Sequence, residues 1–229
     1  MIAPRICLVG ATGLIGSALI AESVGRDDIS LVAVSRREFP LPKGARMEVL
    51  VADPASWPDA IAATRASVVA CALGTTWHKS GKNEAAFRAV DHDLVLSCAQ
   101  AAKNAGIGHF IMISSAGADR HSRSRYLRIK GETEDALIKL KLRRLDILRP
   151  GLLRGARAER RPLERLAMLA SPLTDALLFG RARQYQSIPD VAVARAIVGL
   201  AKEKAGGRFV LDHDRIVRAA RRGINPRHG

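Results

Sequence analysis

The stretch Gly10-Ala11-Thr12-Gly13-Leu14-Ile15-Gly16 decides how this chain is read. It follows the apolar run 5–9 directly and opens a helical segment, 14–23. Three glycines at GxxGxxG spacing thus stand where a strand turns into a helix. Such a turn is tight, and its backbone comes close enough for N–H groups at the positive helix end to meet an anion. The anion that this geometry suits is a pyrophosphate, and close helix–strand contact accounts for the third glycine. Gly10, Thr12, Gly13, Leu14 and Ile15 are the residues expected to hold a dinucleotide.

Working outward, β-branched apolar runs alternate with longer helical segments. Strands are expected at 5–9, 31–34, 47–51, 67–73, 109–114 and 145–148. Helices are expected at 14–23, 84–104 and 124–140, the second ended by Ala105-Gly106. Strands apolar on both faces and joined by helices imply a parallel sheet covered on each side. The fold class is therefore α/β, a doubly wound parallel sheet in a single domain. Its core spans about residues 4–150, and a small C-terminal elaboration, about 151–229, shapes the pocket. In that part, 163–178, 191–202 and 215–222 read as helix and 208–211 as strand.

The length of 229 residues suits one domain, and 48% hydrophobic with 26% charged residues is a globular balance. The charge is unusual: 37 Lys and Arg against 22 Asp and Glu give a formal +15. Residues 1–114 carry 11 basic and 10 acidic side chains, and residues 115–229 carry 26 and 12. A basic half raises the question of nucleic acid. Aromatics are only 4% and the run 154–165 has none, which disfavours base stacking and leaves phosphate contacts as the open route. No apolar run approaches the ~18–20 residues of a membrane-spanning helix, so no membrane insertion is expected. The first residues lack the regions of a signal peptide. Cys7, Cys71 and Cys98, odd in number and set in apolar stretches, read as buried reduced thiols of a cytoplasmic protein. No metal-ligand pattern is present, and no metal is expected.

The second strand ends in Val34-Ser35-Arg36-Arg37, with no acid before Glu38. An NAD site places a carboxylate here for the ribose 2′-hydroxyl, whereas an NADP site places arginine against the 2′-phosphate. NADP(H) is accordingly preferred, with Arg36 and Arg37 as the clamp. Asp53, after the third strand, either bonds the adenine or caps the helix that follows Pro54. Leu73 and Gly74, ending the fourth strand, are expected to pass beneath the cofactor.

Tyr126 and Lys130 stand four residues apart on a helical segment, hence on one face. Upstream, the fifth strand ends in Ser114-Ser115, where the carboxyl end of the sheet opens. Together these residues describe a carbonyl-reduction site. Tyr126 donates the proton, an adjacent Lys130 ammonium favours a phenolate whose free group titrates near ~10, and a serine holds the substrate oxygen. Trp77-His78-Lys79 falls in a loop that could line the mouth, and His92 and Asp93 read as a solvated face.

With the paired arginines, these motifs, together with Cys71-Ala72-Leu73-Gly74-Thr75-Thr76, Ser114-Ser115-Ala116-Gly117-Ala118-Asp119, Gly131-Glu132 and Leu148-Arg149-Pro150-Gly151, resemble the atypical short-chain dehydrogenase/reductases. Within them the chain is similar to the group of the Tat-interacting oxidoreductase-like protein, over about residues 4–200. The resemblance implies a Rossmann fold with NADPH in the crevice, catalysis by Ser115, Tyr126 and Lys130, and Pro150 beside the nicotinamide. It favours Ser115 over Ser114. The asparagine that many relatives carry on the long helix is missing, and Val90-Asp91-His92-Asp93 stands near its position. The expected activity is hydride transfer to or from a carbonyl, an alcohol or a sugar-nucleotide-like substrate. The alternative is an NADPH-binding regulatory or scaffolding protein. A homodimer stays open.

Overall fold

The computed structural model describes residues 3–78, 80–155 and 180–224. Seven parallel strands form one sheet: β1 (Arg5–Val9), β2 (Ser30–Ser35), β3 (Glu48–Val51), β4 (Val68–Cys71), β5 (His109–Ile113), β6 (Arg144–Leu148) and β9 (Gly207–Leu211). Their spatial order is β3-β2-β1-β4-β5-β6-β9. The order reverses between β1 and β4, and the crevice at this switch point is where ligands of such sheets bind. Registers such as Cys7↔Val32, Cys7↔Val69 and Phe110↔Leu145 align apolar side chains across the sheet. A two-stranded pair, β7 (Leu153–Arg154) and β8 (Ile188–Pro189), lies beyond it.

Because strand side chains alternate, each face has its own core. Ile6, Leu8, Leu31, Ala33 and Ile111 pack under α1 (Leu14–Ser23) and two later helices, α6 (Asp190–Ala201) and α7 (His213–Arg222). Cys7, Val32, Val34, Val69 and Met112 pack on the other face, under α2 (Trp57–Ala63), α4 (Leu94–Asn104) and α5 (Arg125–Lys139). The three cysteines are buried and free. Burial pushes the Cys7 and Cys71 thiols up to about 12 and Cys98 further still.

Two expectations need correction. The helix read across 84–104 is α3 (Glu84–Arg88), a π-turn (Ala89–Asp93) and α4. The fourth strand, read across 67–73, covers only Val68–Cys71, which leaves Leu73 and Gly74 as irregular chain. α2 was foreseen only as an unbounded helix following Pro54, and β7 and β8 were not foreseen. The part after residue 150 supplies the seventh strand and two covering helices. The helix expected at 163–178 lies outside the described residues.

Candidate active site

Gly10 has φ +89°, and a Cβ there would stand 2.6 Å from the Ala72 carbonyl carbon. The strand-to-helix turn is thus pressed onto the chain leaving β4. At Gly16 a Cβ would come within 2.2 Å of the Gly10 carbonyl oxygen, so nothing larger than hydrogen fits there. Gly13 donates its N–H to Gly10 O at 3.0 Å and forms the N-cap of α1. That cap has no side-chain bond, and α1 carries no acid in its first turn. The positive end of the helix is left to an anion from outside, as a pyrophosphate cradle requires. Thr12 and Leu14 are half-buried beside it and Ile15 is buried.

At the end of β2, Arg36 and Arg37 are exposed, and neither forms an ion pair among the described residues. The Ser35 hydroxyl donates to Arg37 O at 2.9 Å and fixes the turn that presents them. Asp53 occupies the N-cap position of the short helix Pro54–Ser56, yet its side chain makes no capping bond and is exposed. The capping alternative is thereby not realised by its carboxylate.

Across the crevice, Tyr126 and Lys130 lie one turn apart on α5. The Tyr126 ring rests 5.5 Å, centroid to centroid, from Phe87, which meets Trp77 edge-on at 6.0 Å. Phe87, backed by Trp77, thus fixes the tyrosine, and the Arg125 guanidinium covers Trp77 at 5.8 Å. Lys130 is only 4% exposed, and its Nζ lies 2.7 Å from Asp91 Oδ1. Burial, the largest single influence, would lower Lys130, but the Asp91 carboxylate, with Tyr126 and Cys71 adding to it, holds the ammonium above the usual lysine range. A Cβ on Gly74 would stand 3.9 Å from that Nζ. The glycine loop, the 72–74 segment, Lys130 and Tyr126 are therefore one continuous surface.

The tandem serines are told apart by their partners. Ser114 is buried and donates its hydroxyl to Glu134, whose carboxylate is clamped by Arg149 (Nε–Oε1 3.0 Å). Ser115 is half-buried, and its hydroxyl makes only a 3.3 Å contact with Ala116 O. Ala116 N donates to Pro150 O at 2.8 Å, which brings the ends of β5 and β6 together. Trp77 is half-buried and His78 exposed. Asp93 is exposed as expected, but His92 is half-buried, its Nδ1 2.7 Å from Asp93, so only one of the two belongs to a solvated face.

The sequence reading passed over Asp91, treating it only as a missing asparagine. Yet it follows Phe87 by four residues and precedes Val95 by four, on a stripe that is otherwise apolar and buried. A carboxylate on a buried stripe was the available signal. Among the described residues no group of three or more His, Cys, Asp or Glu could hold a metal, and no helix is long and apolar enough to cross a membrane.

Sequence comparison agrees with a glycine loop placed at a sheet reversal. A model of the NAD(P)H-binding family covers residues 10–204, and the chain belongs to that family. Protein HTATIP2 of Rattus norvegicus is 35% identical over 90% of this chain and 84% of its own, which bears out the resemblance read from the motifs. The mitochondrial protein fmp52 of Aspergillus niger is 30% identical over 89% of this chain and 91% of its own. Among solved structures, MoeE5 in complex with UDP-glucuronic acid and NAD superposes with a TM-score of 0.67 at 22% identity, covering 90% of this chain and 75% of that one. UDP-glucose 4-epimerase from Thermotoga maritima, with UDP-glucose, gives 0.67 at 15% identity, covering 91% and 76%. These two show the fold.

Proposed function

We propose that this chain is an NADP(H)-preferring oxidoreductase that transfers hydride to or from a carbonyl or alcohol, using Ser115, Tyr126 and Lys130. The observation that carries the reading is the unbroken contact from Gly10 through Ala72 and Gly74 to Lys130, with Tyr126 one turn away. Gly10, Thr12, Gly13, Leu14 and Ile15 would hold the pyrophosphate, Arg36 and Arg37 the 2′-phosphate, Asp53 the adenine, and Leu73, Gly74 and Pro150 the floor. When bound, NADPH supplies the hydride. Tyr126 gives its phenolic proton to the substrate oxygen. Lys130 stabilises the negative charge that develops on the phenol oxygen, and the N–H donor left by Asp91 and the Ile113 carbonyl would meet a ribose hydroxyl. Ser115 holds the substrate oxygen in place, since Ser114 is committed to Glu134. The UDP-sugars bound by the two superposed proteins make sugar nucleotides a substrate class to test beside simple carbonyls.

The test is turnover of NADPH against a panel of carbonyls and UDP-sugars, with Tyr126→Phe as the control. A lost general acid lowers the rate by roughly 10²–10⁴-fold and leaves the Kd for NADPH unchanged. A variant as fast as the wild type removes Tyr126 from the mechanism. A wild-type chain that binds NADPH and turns over no member of the panel acts by binding alone, as a regulatory or scaffolding protein does.

A further inference from the structure

We propose that Asp91 is the built-in counter-ion of Lys130: it keeps a lysine that the fold buries in its charged form and fixes the ammonium at the floor of the crevice. What that charge is used for rests on the function proposed above. The pairing itself rests on geometry.

Lys130 is 4% exposed and Asp91 is wholly buried. A lysine withdrawn from water without a partner loses proton affinity by up to several orders of magnitude. An ammonium that must act here therefore needs a carboxylate beside it, and Asp91 Oδ1 stands 2.7 Å away. The carboxylate is itself held by separate elements. Its Oδ2 accepts the Thr75 amide at 2.8 Å, from the chain leaving β4. The Thr133 hydroxyl, on α5, sits between the carbonyls of Asp91 (3.0 Å) and Ile129 (2.7 Å). The π-turn Ala89–Asp93 completes the fixation, since one extra residue in a turn swings the following side chains around the axis. Such turns recur at functional sites.

The other titratable groups around Lys130 do not replace Asp91. Tyr126 lies on its own helix, and Cys71 on β4 is a buried thiol pushed up to about 12. Asp91 is thus the carboxylate paired with Nζ among the described residues. The pair also lies directly beneath Gly74: a Cβ there would be 3.5 Å from Asp91 Oδ1 and 3.9 Å from Nζ. One donor of the ammonium points to Asp91 and a second makes a longer, 3.4 Å contact with the Ile113 carbonyl, which leaves the third to serve the crevice. The stretch from which the expected asparagine is missing therefore supplies a charged orienting group instead.

The test reads the lysine itself, without cofactor or substrate. The nine lysines are labelled with ¹³C at Cε, and the Lys130 signal is identified by its loss in Lys130→Met. In the wild type it titrates above the ordinary lysine range. In Asp91→Asn its proton affinity falls by about tenfold or more, and Asp91→Glu restores most of the loss. A Lys130 signal that titrates alike in wild type and Asp91→Asn overturns the proposal. If Asp91→Asn does not fold, the uncompensated ammonium is the cause proposed, so the double variant Asp91→Asn/Lys130→Met folds again. A double variant that stays unfolded gives Asp91 a packing role only and overturns the proposal. A wild-type chain without turnover would remove the reaction but leave this titration standing. An unaltered titration would do the reverse.

Discussion

Arg36 and Arg37 leave β2 into solvent, and among the described residues no carboxylate is paired to them, whereas Arg120, Arg128, Arg149, Arg195 and Arg222 all have acidic partners. A hydrogen bond to a charged group is worth roughly 1.5–3 kcal/mol. Arg36→Ala and Arg37→Ala should therefore each weaken NADPH by about tenfold or more and leave NADH nearly untouched, as measured by calorimetric titration of both cofactors. Equal losses for both would assign the arginines to general attraction. The serines separate by the same logic. Ser115→Ala should lower turnover with the unfolding midpoint unchanged, whereas Ser114→Ala should lower the midpoint by breaking the buried bond to Glu134. From the residues alone the adjacent serines do not separate, and only the family resemblance favours Ser115. Which one meets Glu134 depends on the rotation of α5, and that is set by packing on β5 and β6, not by local sequence. Tyr126 and Lys130 were legible because an interval of four residues on a helix fixes a shared face whatever surrounds it.

At the level of elements, the glycine loop was legible almost to the residue. Its turn is dictated locally, by the approach of Gly10 to Ala72 and of Gly16 to Gly10. Gly16→Ala places a methyl 2.2 Å from a backbone oxygen, and overpacking of this kind costs roughly 1–3 kcal/mol. Urea unfolding should show that loss, and NADPH binding should fall with it because the loop must open. The long helix was less legible. Its buried apolar stripe from Phe87 to Ala102 is broken only by Asp91, and a single carboxylate marks a buried charge without announcing the π-turn at Ala89–Asp93. The turn answers to a tertiary demand, the pairing of Asp91 with Lys130. α2 was hidden for a different reason: seven residues with Pro58 in the first turn carry too little periodicity to read. Pro58 is tolerated there because the first turn has no intrahelical N–H bond to lose.

For the whole molecule, several basic side chains among the described residues of the second half are knit into the fold. Arg144 grips Asp146 in a buried cluster that also holds His109, whose Nε2 lies 2.7 Å from Asp146. Burial, with Arg144 and Arg143 adding to it, holds His109 below its ordinary 6.5 against the pull of Asp146. The folded chain then binds fewer protons than the unfolded one below 6.5. His109 therefore supports the fold fully above that pH and progressively less as pH falls toward its folded value. Urea midpoints measured from about pH 7 to about pH 5 should fall in the wild type and fall less in His109→Gln; parallel curves would clear His109. The alternating pattern fixed the sheet in the sequence reading, but long-range closure was invisible there. Glu22 pairs with Arg195 (2.9 Å), Asp28 with Lys202 (2.5 Å), and Arg26 reaches Gly223 O (2.8 Å). α1 is covered by α6, so Leu19 and Ile20 are buried by residues made some 170 positions later. This closure sets an order of events during synthesis. The segment that would grip a dinucleotide is made about 170 residues before the helix that covers α1. A nascent chain thus carries an exposed apolar helix until α6 has been synthesised, and a settled dinucleotide site follows that step.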